Sequence, residues 1–390
     1  MENYKCPICG NTDIHSIGCL KGKPYCRKCL TFRGQEANGD YIQSNNYTYT
    51  LHYELSNDQK RLSEQLVENY KNHTNSLVCA VCGSGKTEIC LAVISYCIKH
   101  KLSVGFAVPR TNVCVELFNR FKNFFIKNKV ISVYGGHHDV LEGDLIVLTA
   151  HQLFRYRNYF DLLIMDEIDA YPFKGNDVLE HMFKNSVRGN YILMSATPSK
   201  DIIDKISNDG GSVLSLYSRF HQHPLPVPKV KIGNVLKLYY NLLNELHVFL
   251  KQNKQVFIFV PTIDLSINIS LFLKLFFHKG TYVNSKRKDA QKVIDDFRKN
   301  KYQYLVTTAV LERGVTVKDL QVIVFKADHP IYDSASLIQI AGRVGRKKDA
   351  PEGEVIFLAR ENNKQIEGAV AEINTANKKL QDMLQRDQNS

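Results

Sequence analysis

The sequence predicts an α/β protein of two successive parallel-sheet domains behind a small four-cysteine module, and three observations predict it. Two Cys-x-x-Cys pairs stand at the N-terminus. From Leu51 onward, short β-rich apolar runs alternate with longer helical stretches. A cluster of prolines at 224, 226 and 228 interrupts that alternation once, after which it restarts. Strands that alternate with helices build a parallel sheet covered on both faces. With 390 residues, 44% hydrophobic and 23% charged, the chain has material for two ordinary cores and an appendage.

In chain order, residues 1–35 form the cysteine module and 36–50, polar and without periodicity, read as a linker or irregular hairpin. The first α/β domain spans 51–220, with candidate strands Leu77–Val81, Val104–Val108, Leu145–Thr149, Leu162–Asp166 and Tyr191–Ser195. Residues 221–230 read as a hinge, because closely spaced prolines deny the chain both helix and ladder hydrogen bonds. The second domain spans 231–365, with candidate strands Val256–Val260, Tyr304–Thr307, Val322–Phe325 and Val355–Leu358. Residues 366–390 read as a C-terminal helix and frayed tail.

A formal charge of +12 and a pI near 9.1 favour a polyanionic partner, since neutralising phosphates releases counterions. The start at Met1 has no basic stretch leading into an apolar one, and no apolar run is long enough to span a bilayer. A cytoplasmic protein is expected, reaching a membrane only through partners. Ten cysteines in such a setting argue for metal binding over disulfides.

Cys6 and Cys9 pair with Cys26 and Cys29 in the spacing of a closed structural zinc site. Each pair wraps a tight turn around one side of the ion, and four thiolates fill its tetrahedron, so Cys19 and His15 between them are not expected as ligands. A segment this short cannot bury an adequate core alone, which makes Zn²⁺ a folding requirement. Lys21, Lys23, Arg27, Lys28 and Arg33 offer a contact for nucleic acid or protein, or simply a solvated surface.

Ala80 to Thr87 follows a predicted strand and opens a helix, as a phosphate-binding loop requires. Gly83, Ser84 and Gly85 turn backbone N–H groups toward ATP phosphates, Lys86 reaches the β and γ phosphates, and Thr87 ligates Mg²⁺. Downstream, an apolar strand ends in Asp166 and Glu167. A carboxylate at that end can hold Mg²⁺ and its neighbour can activate water, which assigns Asp166 to the metal and Glu167 to the water. Gln59 is a candidate adenine contact.

In this order the motifs resemble helicase superfamily 2, which implies tandem RecA-like domains. Ser195 and Thr197 are similar to the coupling motif of that superfamily. Thr307 to Thr316 resembles its motif that touches the nucleic-acid backbone through Thr308 and senses nucleotide at Gly314, with Thr316 where many members are acidic. Gln339 to Arg346 resembles its arginine-finger motif, with Gln339 in coupling and Arg343 and Arg346 stabilising charge on the transferred phosphoryl group. The resemblance further implies nucleic-acid contacts at Arg110, Thr111, Thr149, Gln152 and Thr262. Such contacts reach phosphates, so binding is expected to be sequence-tolerant and salt-sensitive.

Longer strings, Asp166 to Phe173, Arg219 to Pro226 and Leu311 to Thr316, together with the cysteine module, resemble the ComFA family of late-competence DNA-uptake ATPases. That resemblance implies an ATP-dependent translocase on single-stranded DNA, working with a phosphoribosyltransferase-like competence protein and the membrane DNA-uptake channel. With two domains, a hinge and a module filling the chain, translocation is expected over strand separation. A replication-restart or repair helicase is the nearest rival. A zinc-dependent nucleic-acid-binding regulator with a relic ATP site is the rival of another class, against which stand Lys86, Glu167, Arg343 and Arg346.

Overall fold

Runs of β-branched and aromatic residues become central strands because both faces of a parallel sheet are covered. The computed structural model describes residues 4–81, 83–170, 172–173, 175–216, 223–308, 317–346 and 349–388. Residues 1–80 with 85–216 form one compact unit, and 81–84 with 217–390 form a second. The motif string Leu311 to Thr316, including Gly314, lies outside the described residues, as do residues 217–222.

In the first unit, β1 (Ile17–Leu20) pairs antiparallel with β2 (Lys23–Cys26). The two-residue turn between them has Lys21 and Gly22 both at positive φ, 50° and 77°, a twist that matches the strands it joins. There follow α1 (Asn57–Lys71), β3 (Ser76–Ala80), α2 (Lys86–Ile89), α3 (Leu91–Lys99), β4 (Val104–Val108), α4 (Thr111–Phe124), β5 (Val130–Val133) and β6 (Leu145–Thr149). After a 3-10 turn at Ala150–Arg155 come β7 (Phe160–Met165), α5 (Asp177–Ser186), β8 (Val187–Ser195), α6 (Lys200–Asn208) and β9 (Ser212–Leu216). The seven strands pair in parallel in the order β5-β6-β4-β7-β8-β3-β9. Successive residues of a strand face opposite ways, so Val78, Phe106 and Ile164 enter one core layer while Leu77, Ala107 and Leu163 enter the other.

The second unit runs β10 (Lys229–Ile232), α7 (Val235–Lys251), β11 (Gln255–Phe259), α8 (Ile263–Lys274), β12 (Gly280–Val283), α9 (Ala290–Arg298), β13 (Tyr304–Thr307), β14 (Leu320–Phe325), α10 (Ser334–Ala341), β15 (Val355–Ala359) and α11 (Lys364–Gln388). Its six strands are parallel, in the order β10-β15-β14-β11-β13-β12. Phe257, Phe259 and Val322 pack on one face, and Val256, Ile258 and Ile323 on the other. The proline-rich segment is tied down within this unit. Leu225 N–H donates to Asn377 Oδ1 at 2.7 Å, and Asn377 Nδ2 returns a bond to Leu225 O at 2.9 Å.

Residues 36–50 contain no helix or strand, yet they are fastened along the first unit. Buried Asp144 accepts from Ser44 N–H at 2.7 Å and from Lys129 N–H at 2.8 Å. The Lys101 ammonium donates to the carbonyls of Gln43 and Ser44, and Thr50 N–H donates to Phe124 O. Backbone groups that lack a ladder are thus satisfied by side chains.

Candidate nucleotide and metal sites

All strands of the first sheet end on one edge, where open α/β sheets bind ligands. β8 lies between β3 and β7, so the loops bearing Lys86, Asp166 and Ser195 are neighbours on that edge. The loop after β4 carries Arg110 as N-cap of α4 and Thr111 at its start. Thr149 caps the 3-10 turn after β6, which carries Gln152.

Gly83 and Gly85 adopt φ of 81° and 80°, which side-chain-bearing residues rarely do. At Gly85 a Cβ would lie 2.4 Å from Gln59 Nε2, so the buried Gln59 amide rests directly on the loop. The same side chain accepts from Ser56 N–H at 2.9 Å, while Ser56 Oγ accepts from Gln59 N–H at 3.3 Å. This capping box fixes the start of α1 and with it the Gln59 amide. Lys86 opens α2, with Thr87 buried behind it.

Three further residues that no motif points to brace this corner. Arg120 donates to Glu88 Oε1 at 2.6 Å and to Thr87 Oγ1 at 3.4 Å, and the Tyr53 hydroxyl donates to the same Glu88 oxygen at 2.6 Å. Glu88 follows the loop lysine and threonine in sequence, but its partners come from other elements, which spacing alone does not show.

Asp166 ends β7 and accepts from Glu167 N–H at 2.8 Å. Burial pushes its carboxyl up to about 6, Glu167 adds to the rise and Lys86 opposes it. A carboxylate oxygen at the end of a strand, beside the loop that carries Thr87, is the hard donor that Mg²⁺ takes. Glu167 sits at φ 57°, a strained conformation for a side-chain-bearing residue of the kind concentrated at functional sites. The strain is held in place because Ile168 N–H donates to Met194 O at 3.2 Å and Ala170 N–H to Glu167 O at 2.9 Å.

Asp169 joins this loop to the next. Its Oδ1 accepts from Ser195 Oγ at 2.8 Å and its Oδ2 from Thr197 Oγ1 at 3.3 Å, while Ser195 Oγ accepts from Thr197 N–H at 3.0 Å. Asp169 thereby bonds the turn that carries Asp166 and Glu167 to Ser195 and Thr197. The two hydroxyls stand in a recognisable Ser-Ala-Thr string, whereas the carboxylate that holds them lies 26 positions from Ser195 and has no such signature.

In the second unit, Thr262 follows β11 and caps α8, its Oγ1 accepting from Leu265 N–H at 3.2 Å, which leaves the hydroxyl proton as a donor. Thr308 follows β13 and is buried. Gln339 lies buried in α10, Arg343 is buried just past its end, and Arg346 Nε donates to the α10 C-cap carbonyl of Gly342 at 2.9 Å.

The sulfurs of Cys6, Cys9, Cys26 and Cys29 lie within 4.8 Å of one another. Cys6 and Cys29 are 3.8 Å apart and Cys9 and Cys26 3.7 Å, matching the edge of about 3.8 Å of a tetrahedron with Zn–S of about 2.3 Å. Burial pushes Cys9 up to about 11 and raises Cys29 too; at Cys6, backbone N–H groups outweigh burial and lower it. The raised Cys9 and Cys29 resist ionisation, and a divalent cation removes that resistance. Cys19 and His15 are exposed and lie outside the cluster.

Residues 238–348 match the family described as helicase conserved C-terminal domain, and residues 52–200 match type III restriction enzyme, res subunit. Dbp5 of S. cerevisiae, solved bound to RNA and ADP BeF3, superposes with a TM-score of 0.60 at 16% identity over 83% of this chain and 91% of that one. Helicase Lhr of Mycobacterium smegmatis, solved with ssDNA and AMP-PNP, also gives 0.60 at 16% identity, over 83% of this chain and 50% of that one. Sequence motifs and fold together define a helicase-type ATPase of superfamily 2, with tandem RecA-like domains.

The competence protein ComFA of Bacillus subtilis is 33% identical over 92% of this chain and 82% of its own length. That of Streptococcus pneumoniae is 32% identical over 96% and 90%. The chain belongs to the ComFA family. Among the described residues no helix is long and apolar enough to cross a membrane.

Proposed function

We propose that this protein is a single-stranded-DNA-stimulated ATPase that moves along one strand and drives DNA import during natural competence. The observation that carries the reading is the turn at 166–169, whose last residue, Asp169, accepts from Ser195 and Thr197 and so joins the nucleotide edge to the loop resembling the superfamily's coupling motif. Family membership supports the competence pathway and a nucleic acid as the polymer.

Gly83, Ser84, Gly85 and Lys86 bind the ATP phosphates, and Gln59 holds the loop while contacting adenine. Thr87 and Asp166 hold Mg²⁺, which neutralises charge on the phosphates when bound. Glu167 orients and deprotonates the attacking water. Arg343 and Arg346 stabilise charge on the transferred phosphoryl group, Gly314 senses nucleotide and Gln339 couples. Arg110, Thr111, Thr149, Gln152, Thr262 and Thr308 grip the strand through phosphates, so the grip is independent of sequence and weakened by salt. Cys6, Cys9, Cys26 and Cys29 hold structural zinc. The protein works at the inner face of the membrane with a phosphoribosyltransferase-like partner and the uptake channel.

ATP turnover measured with single-stranded DNA, duplex DNA, RNA and no polymer tests this reading. Single-stranded DNA should stimulate most. Equal rates in all four would refute it and favour a relic or non-motor ATPase.

A further inference from the structure

The four-cysteine module is packed onto one of the proposed strand-gripping loops. Phe32 N–H donates to the carbonyl of Cys29 at 3.0 Å, so the ring is anchored to a metal-binding residue. That ring stacks on His151, with centroids 6.1 Å apart and planes at 24°, and tilts against Phe154 at 6.1 Å. From the other side, Asn185 Nδ2 donates to the carbonyl of Pro7 at 3.1 Å.

Just past Phe32 the chain brackets Arg155. Arg155 Nη1 donates to Gln35 O at 2.6 Å, and Ala37 N–H donates to Arg155 O at 2.9 Å. Arg155 Nε donates to Gln152 Oε1 at 2.7 Å, and the guanidinium lies 4.6 Å from the Phe154 ring centroid. Arg155 is only 4% exposed, and among the described residues its side-chain hydrogen bonds go to neutral oxygens. A buried cation without a carboxylate is costly, and burial lowers its pKa. The side chain is therefore placed for a positional reason.

Because a guanidinium can only donate, it fixes the Gln152 amide with oxygen inward and NH₂ as the outward donor, the end that suits a phosphate oxygen. We infer that the zinc module is a buttress that sets the strand-gripping loop at 149–155, with Arg155 as the positioning residue that orients Gln152, so that metal occupancy controls grip on single-stranded DNA. The module itself need not touch DNA. The inference rests on the proposed role of Gln152 as a strand contact.

The test uses the full-length protein and a fluorescent oligo-dT. In Arg155→Met the dissociation constant should rise about tenfold, the loss of one well-placed charge-assisted bond, with zinc content unchanged. Gly34→Ala is a second route, since a Cβ there would lie 2.8 Å from Arg155 Nη1. Removing the exposed lysines of the module, Lys23→Ala with Lys28→Ala, should change the constant by less than about twofold. The reverse pattern, with the lysine pair weakening binding and Arg155→Met and Gly34→Ala neutral, would overturn the buttress. Hydrogen exchange separates this inference from the function beneath it. In protein stripped of zinc by chelation, amides at 149–155 should lose protection while those of β8 keep it, and unchanged protection at 149–155 would overturn the inference alone. Wild-type protein that binds no oligo-dT would overturn both.

Discussion

Asp169→Ala removes the carboxylate that holds Ser195 and Thr197. Ser195 is fully buried, and its hydroxyl donates to Asp169 Oδ1 at 2.8 Å. Hydrogen bonds to charged groups contribute about 1.5–3 kcal/mol. Asp169 is half-buried and its bond to Thr197 is longer, 3.3 Å, so a combined loss of about 2–3 kcal/mol is expected, from the lower part of that range. For a unit of this size that lowers the melting temperature by about 5–10 °C. Asp169→Asn keeps one acceptor oxygen and should cost less than half as much. Differential scanning fluorimetry reads the first effect. The second readout is the ratio of ATP turnover with and without single-stranded DNA, which should fall toward one in Asp169→Ala while nucleotide binding persists. A variant that melts with the wild type and keeps full stimulation would refute the coupling role.

Lys86→Ala and Glu167→Gln should each reduce turnover by at least about a hundredfold, and a fluorescent ATP analogue should still bind Glu167→Gln; normal rates in both would displace the assigned site. Cys26→Ser should release zinc by elemental analysis and expose 4–35 to proteolysis while the two α/β units remain folded, and retained zinc would reject the ligand set. Asp161 carries a pH effect of definite sign. Burial raises its carboxyl, but the paired bonds from Arg188 at 2.8 and 2.7 Å and from Ser103 hold it below the ordinary value. Its stabilisation is full above the unfolded value of about 3.9 and disappears as pH falls through the lower folded value. The urea-midpoint gap between wild type and Asp161→Asn should be constant at neutral pH and close below about pH 4; a gap that widens with acid would contradict the assignment.

Central strands were legible in the sequence and edge strands were not. The five strands expected in the first sheet, β3, β4, β6, β7 and β8, are its interior; β5 and β9 are its edges. In the second sheet β11, β13, β14 and β15 are interior, and the unanticipated β10 and β12 are edges. Most interior strands, such as β4 and β6, are buried on both faces and read as apolar runs, whereas β10 is Lys-Val-Lys-Ile and half-exposed. At the site, loop glycines, Lys86 and Asp166 announce themselves because their chemistry is local. Asp169 and Arg120 do not, since their partners lie 26 and 32 positions away, and Arg155 does not, since Gln35, 120 positions away, helps to hold it. The anchoring of 36–50 leaves no periodicity in the sequence, because its bonds run to the side chains of Asp144 and Lys101.

Directional movement on a single strand is tested most directly by displacement of streptavidin from a terminally biotinylated oligonucleotide. ATP should accelerate release from one end only, with no release by Glu167→Gln and no opening of long duplexes. Release that ignores ATP, or that proceeds equally from both ends, would contradict the account.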